Sequence, residues 1–194
     1  GVVENNAKLK IGESIVIFGA GGIGLSIIQA AGMVSAYPII AVDIHNNRLN
    51  LAKSVGANYL INSNEEDPFY VIEKLLGKKN IDVFIDNTGN SKIIEKGYEN
   101  INNQGRVVLV GVPKLNDNIS IFSLEMHFGK KIIGSHGGES NPEKDIPRYL
   151  KLIDSGKLNL QSLISKEYSL NHINDAIDCM REGKASGRIL INLL

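Results

Sequence analysis

The glycines of Gly19-Ala20-Gly21-Gly22-Ile23-Gly24 follow an apolar run, Ile15-Val16-Ile17-Phe18, and an acid, Asp43, closes a second run, Ile39-Ile40-Ala41-Val42, nineteen residues after Gly24. Residues of these types at this spacing can hold a dinucleotide. Gly19 permits the turn out of the first strand, Gly21 lets the backbone approach a pyrophosphate, and Gly24 lets the following helix pack close to the sheet. The pyrophosphate then meets free N–H groups and the positive end of a helix dipole. Asp43 can accept hydrogen bonds from the adenosine ribose hydroxyls and repel a 2′-phosphate, which favours NAD over NADP. The same glycines also suit an ordinary tight βα turn with Asp43 as a strand-end turn former, and a nucleotide sensor would begin in the same way.

Such a site needs a sheet and helices to hold it. Apolar runs of strand length alternate with helical patterns, which predicts parallel βαβ construction. Strands are expected near 14–18, 39–42, 58–61, 81–86, 105–111 and 131–135, with helices near 22–35, 46–55, 67–77 and 91–101. Leu49, Ala52, Lys53 and Val55, with Leu51, form the expected inward face of the second helix, and Gly56 ends it. Asp67 and Pro68 read as the N-cap and first-turn pair of the third. This rhythm fits a doubly wound α/β sheet of six parallel strands in the order 3-2-1-4-5-6. Beyond His136-Gly137-Gly138-Glu139-Ser140-Asn141-Pro142 the pattern changes to a helix near 143–155, an extended piece over 163–170, a helix near 172–182 and a last strand over 187–193. Residues 1–140 are therefore expected to form a dinucleotide-binding domain and residues 141–194 a C-terminal tail.

Composition narrows the partners. With 21 basic and 21 acidic residues among 194, the chain has no electrostatic reason to bind nucleic acid or an anionic membrane. One cysteine, Cys179, excludes an internal disulfide and a multi-cysteine zinc site, fits a cytoplasmic setting, and reads as a small buried hydrophobe. Residues 14–42 carry no charge over a length that could span a bilayer. Glycines and Pro38 break that stretch, and strands covered on both faces explain it better. The chain opens at Gly1 without a methionine, and further residues are expected upstream.

Nearly the whole chain resembles the coenzyme-binding (Rossmann) half of a zinc-type alcohol dehydrogenase of the medium-chain dehydrogenase/reductase family. The resemblance is carried by Ile11-Gly12-Glu13, the glycine turn, Ile40-Ala41-Val42-Asp43, Ala52-Lys53-Ser54-Val55-Gly56-Ala57 and Asp86-Asn87-Thr88-Gly89. It continues through Gly105-Arg106-Val107-Val108-Leu109-Val110-Gly111-Val112-Pro113, Gly134-Ser135, Ile173-Asn174-Asp175-Ala176-Ile177 and Gly183-Lys184-Ala185-Ser186-Gly187-Arg188. It implies that Gly19, Ala20, Gly21, Gly22, Ile23 and Gly24 line the pyrophosphate and that Asp43 and Arg48 hold the adenosine ribose. It further implies that Val110, Gly111 and Val112 offer backbone groups to the nicotinamide carboxamide, that Thr88 lies in the neighbouring loop, and that Arg188 approaches the pyrophosphate. Solvated or turn-forming roles remain open for Arg48, Thr88 and Arg188.

In that family an N-terminal GroES-like domain supplies the zinc ligands, and no such domain is in this sequence. His45, His127, His136 and His172 are scattered, so no zinc cluster and no catalytic residue is expected here, and the chain by itself is expected to be inactive. The implied full-length protein is an NAD-dependent enzyme moving hydride between an alcohol or polyol and nicotinamide. Members of the family commonly dimerise through this domain, so a homodimer is expected, with Asn118-Ile119-Ser120-Ile121-Phe122 and the sixth strand as its edge. Zinc-free quinone oxidoreductases and non-enzymatic NAD-sensing modules remain alternatives. Tyr70 and Lys74 have the spacing of a short-chain dehydrogenase pair but follow the third strand, where that family places the pair after the fifth, and are read as coincidence.

Overall fold

The computed structural model describes residues 1–193. Six strands, β1 (Ile15–Phe18), β2 (Ile39–Asp43), β3 (Tyr59–Asn62), β4 (Ile81–Asp86), β5 (Ile101–Leu109) and β6 (Lys131–Gly134), form one parallel sheet in the order β3-β2-β1-β4-β5-β6. Between them run α1 (Gly22–Met33), α2 (Asn46–Ser54), α3 (Pro68–Leu76) and α4 (Ser91–Asn100). The tail contributes α5 (Pro142–Asp154), β7 (Ile164–Ser169), α6 (Ile173–Arg181) and β8 (Arg188–Asn192). β7 and β8 form a separate two-stranded parallel sheet. No helix among the described residues is long and apolar enough to cross a membrane.

The unbroken apolar runs of β1 and β2 follow from burial on both faces. Successive side chains of a strand point to opposite sides. Ile15 and Ile17 accordingly join Leu25, Ile28, Leu49 and Val108 in one core, while Val16 and Phe18 join Ile72, Phe84, Ile94 and Tyr98 in the other. Phe18, Phe69 and Phe84 stack in the second core with ring centroids 5.0–6.2 Å apart. Sequence order reverses beside β1, between β2 and β4, and at such a switch point the strand ends open onto a crevice.

Local chemistry sets the helix ends. The Asp67 side chain accepts from the N–H groups of Phe69 and Tyr70 with Pro68 in the first turn of α3. Gly56, at φ +119°, follows the last turn of α2. Of the expected inward face of α2, Leu49 and Ala52 are buried, whereas Lys53 is exposed, because its ammonium would lose its hydration in the core. β5 begins at Ile101, four residues before the expected start, and its register against β4 shifts between Ile81 and Val83. The polar run Asn102-Asn103-Gln104 accommodates that irregularity.

One further segment departs from expectation. Residues 118–122 form no strand and do not join the sheet, whose edge on that side is β6. They are held over α4, where Ser120 donates its N–H to Glu95 at 2.7 Å and the Tyr98 hydroxyl donates to the Phe122 carbonyl at 3.3 Å. The opening residues Val2–Asn6 form a short π-helical turn, with the Asn5 amide donating to the Gly138 carbonyl at 2.8 Å.

Candidate functional site

At the carboxyl ends of β1, β2, β4 and β5 lies a crevice of about 590 Å³. Every residue singled out in the sequence lines it except Ala20: Gly19, Gly21, Gly22, Ile23, Gly24, Asp43, Arg48, Thr88, Val110, Gly111, Val112 and Arg188. Ala20 is buried behind the wall, where its N–H donates to Asp43 Oδ2 at 2.8 Å. Ile44, Ser63, Asn87 and Ile93 also line the crevice and were not singled out. Ile44 directly follows Asp43, and Ser63 and Asn87 each directly follow a strand end, which is the signal that could have found them.

The glycine turn is shaped for close approach. A Cβ on Gly24 would lie 2.1 Å from the Gly19 carbonyl oxygen, so only glycine lets α1 leave β1 this tightly. Gly19 itself takes φ +95°. At Gly21 the space where a Cβ would stand is open, which leaves the backbone accessible from the crevice. Helix α1 has no side-chain N-cap and no acid in its first turn. Its leading N–H groups and positive dipole end are thus left for an anion. The Arg188 guanidinium adds a cation beside it, 2.6 Å from where a Gly22 Cβ would be.

The Asp43 carboxylate is fixed rather than free. Oδ2 accepts the Ala20 N–H, Oδ1 accepts the His45 N–H at 3.0 Å, and Arg48 stands 3.7 Å from Oδ2. Each oxygen still has a lone pair for a hydroxyl donor. Arg48 also donates to the Ala185 carbonyl at 3.4 Å, so the tail helps place it.

At the other end, the N–H groups of Val110 and Gly111 both donate to the Asp86 backbone carbonyl at 2.8 Å. No donor is paired with either of their own carbonyls among the described residues, which leaves two acceptors suited to a carboxamide NH₂. The shape and donor set fit a dinucleotide along its whole length: ribose acceptor, anion-binding turn, then amide acceptors.

Other groups stand apart from this crevice. His136 is exposed and caps the Gly137–Glu139 turn. Cys179 is buried, as read, with the Lys166 ammonium 3.2 Å from its sulfur. Burial works to raise that thiol's pKa, and hydrogen bonds from Lys166 and Tyr168 outweigh it and hold it below its ordinary value. Lys74 lies over the Tyr70 ring at 4.2 Å, and neither residue lines the crevice. A larger cleft of about 900 Å³ lies between α1 and α5, but it flanks the helices, and the Arg148 charge within it is already paired with Glu4 and Asp145. Among the described residues no three His, Cys, Asp or Glu side chains are grouped to hold a metal.

Residues 22–155 match the family model described as "Zinc-binding dehydrogenase". The chain is 32% identical over 187 residues to S-(hydroxymethyl)glutathione dehydrogenase of Escherichia coli O139:H28, a match covering 95% of this chain and 51% of that protein. It is 32% identical, with a TM-score of 0.92, to the crystal structure of benzyl alcohol dehydrogenase from Acinetobacter calcoaceticus, covering 100% of this chain and 53% of that one. A Sinorhizobium meliloti 1021 protein solved bound to NADP is 25% identical with a TM-score of 0.74, over 87% of this chain and 49% of that one. The chain thus spans about half the length of the curated relatives it matches.

Proposed function

This chain belongs to the zinc-binding dehydrogenase family and matches its coenzyme-binding half, and we propose that it holds NAD(H) for a cytoplasmic alcohol dehydrogenase. The length of the relatives supports a further catalytic part in the whole protein. Held in this crevice the coenzyme would supply hydride-transfer chemistry, and a zinc ion held outside this chain would supply Lewis acidity toward a small alcohol. Within the chain, residues 1–140 are read as the coenzyme unit and 141–194 as a tail that lends Arg188 and the Ala185 carbonyl to the crevice.

The residues divide the work along the crevice. Asp43 accepts the ribose hydroxyls, with Arg48 held beside it. The first turn of α1, entered through Gly21, and Arg188 neutralise the pyrophosphate. The Val110 and Gly111 carbonyls orient the carboxamide, and Thr88 and Val112 flank it. The chain's part is to bind and orient, so that one face of the nicotinamide ring is presented from a fixed frame.

One observation carries the choice of NAD: the Asp43 carboxylate is pinned by two backbone N–H groups and cannot swing away from a 2′-phosphate. The NADP-bound relative makes this a point to test. Titration of NADH and NADPH, followed by reduced-nicotinamide fluorescence, is expected to give saturable NADH binding and NADPH binding weaker by about tenfold or more, equivalent to about 1.4 kcal/mol. Equal affinities would overturn the NAD assignment, and no binding of either would overturn the coenzyme role of this chain.

We also propose a homodimer joined along β6. The strand is one edge of the sheet, and Phe128, three residues ahead of it in the chain, is exposed. Sedimentation equilibrium should show a dimer at high concentration; a monomer throughout would refute it.

A further inference from the structure

We infer that Asp86 is a positioning residue that fixes the loops after β4 and β5 against each other and so sets the nicotinamide end of the crevice. The inference rests on the coenzyme reading above and goes beyond it, because Asp86 does not itself line the crevice. It sits at the end of β4, fully buried, with no ion pair among the described residues. Its carboxylate is satisfied by hydrogen bonds alone. Oδ1 accepts from the Thr88 N–H at 3.0 Å and the Thr88 hydroxyl at 2.6 Å, and Oδ2 accepts from the Gly89 N–H at 2.9 Å. Its backbone carbonyl takes the N–H groups of Val110 and Gly111 from the other loop.

One residue thus gathers donors from two loops, and the loops themselves abut with no side chain between them. A Cβ on Gly89 would lie 2.3 Å from the Val112 carbonyl oxygen, and one on Gly111 would lie 2.3 Å from the Gly89 nitrogen. Contacts that close transmit displacement, so a shift of Thr88 or Gly89 moves Val110, Gly111 and Val112 as well. A carboxylate is the side chain the site demands. Its three partners are all donors, and an amide would set its own N–H₂ against one of them. The Thr88 hydroxyl is committed within the loop, donating to Asp86 and accepting from the Asn90 N–H at 3.1 Å.

The far end of the crevice is held differently. Asp43 is anchored by Ala20 and His45, and the glycine turn meets the β4 loop through Asn87, whose amide donates to the Gly19 carbonyl at 3.2 Å. None of these bonds uses the Asp86 carboxylate. Loss of that carboxylate should therefore disturb the nicotinamide end and spare the ADP-ribose end.

The test compares NADH, followed by nicotinamide fluorescence, with ADP-ribose, followed by calorimetry, in the full chain. Asp86→Asn is expected to weaken NADH by about tenfold, the effect of one buried donor left facing another, with ADP-ribose affinity unchanged within about twofold. Thr88→Val is expected to give the same split at smaller size and, in addition, faster exchange of the Gly89 and Gly111 amides, which a hydroxyl acting only on the ligand would not alter. Equal weakening of both ligands, or of neither, overturns the proposal. Should Asp86→Asn fail to fold, the split and the exchange rates in Thr88→Val decide it. A wild-type chain that binds neither ligand overturns the coenzyme reading, and this inference with it, whereas normal wild-type binding without a split in the variants overturns this inference alone.

Discussion

In β1 and β2 every residue is buried, whereas no residue of β7 or β8 is fully buried and exposed positions recur along both strands. The helices follow suit. α1 buries Leu25, Ile27, Ile28 and Ala31 in one core, while α6 leaves Ile173, Ile177 and Met180 substantially exposed at positions three and four apart. The sheet body therefore carries its own two-sided core. The tail is amphipathic, and part of its apolar side meets no partner among the described residues. Its ties to the body are mainly polar, as where Gln29 both donates to and accepts from the Asn159 backbone, with Leu163 as an apolar anchor. The lesson is that the frame of the crevice is set by the body, while the tail places two of its outer groups.

That contrast can be broken by substitution. Phe84→Ala, which removes a fully buried ring of the aromatic stack, should lower unfolding free energy by about 3–5 kcal/mol. Leu190→Ala on the exposed side of β8 should stay within about 1 kcal/mol. Urea denaturation of the two variants measures both, and similar losses would erase the distinction between body and tail.

A smaller effect sharpens the comparison through charge. Arg106 grips Glu13 with two hydrogen bonds, at 2.5 and 3.0 Å, and also reaches the Ala7 and Lys8 carbonyls, pinning the opening segment to β5. Burial works to raise the Glu13 pKa, and the hydrogen bonds from Arg106 and the Lys10 N–H, with the charges of Arg106 and Lys10, together outweigh it, leaving it below its ordinary 4.5. A carboxyl whose folded value is depressed stabilises the fold fully above its unfolded value and loses that contribution as pH falls through the folded one. Glu13→Gln should cost about 1 kcal/mol at pH 7, and the difference from wild type should shrink steadily below about pH 4.5. The tail's pair, Lys184 with Glu182, is exposed on both sides, and Glu182→Gln should change stability at pH 7 by less than about 0.5 kcal/mol. Equal losses at pH 7 in the two variants would contradict the contrast.

Much of this was legible in the sequence because both signals are local. Apolar runs such as Ile39–Val42 announce strands covered on two faces, and the glycine turn with Asp43 announces one end of the crevice. The end formed by Thr88, Val110 and Gly111 was less legible. Asp86-Asn87-Thr88-Gly89 stands out as a motif, but the central role of Asp86 depends on where β5 brings Val110 and Gly111, a contact across 24 residues of chain. The turn chemistry of an Asp followed by Thr and Gly was the available hint. Lys53 falls on the inward side of the helical period, yet the hydration of its ammonium keeps it in solvent. Residues 118–122 were misplaced because Ile119-Ser120-Ile121 alternates like a strand, while Glu95 and Tyr98, which hold it, lie far back in the chain.

The bond between Asp43 and the Ala20 N–H has a consequence for how such a protein could change over evolutionary time. The residue proposed above to discriminate between coenzymes is also a structural member of the glycine turn, since it satisfies a buried donor there. A replacement at position 43 that welcomed a 2′-phosphate would orphan that donor unless it brought an acceptor of its own. Coenzyme preference and turn geometry are thus mutationally linked, and a change of one travels most easily through side chains, such as serine or asparagine, that keep an oxygen near the Ala20 nitrogen.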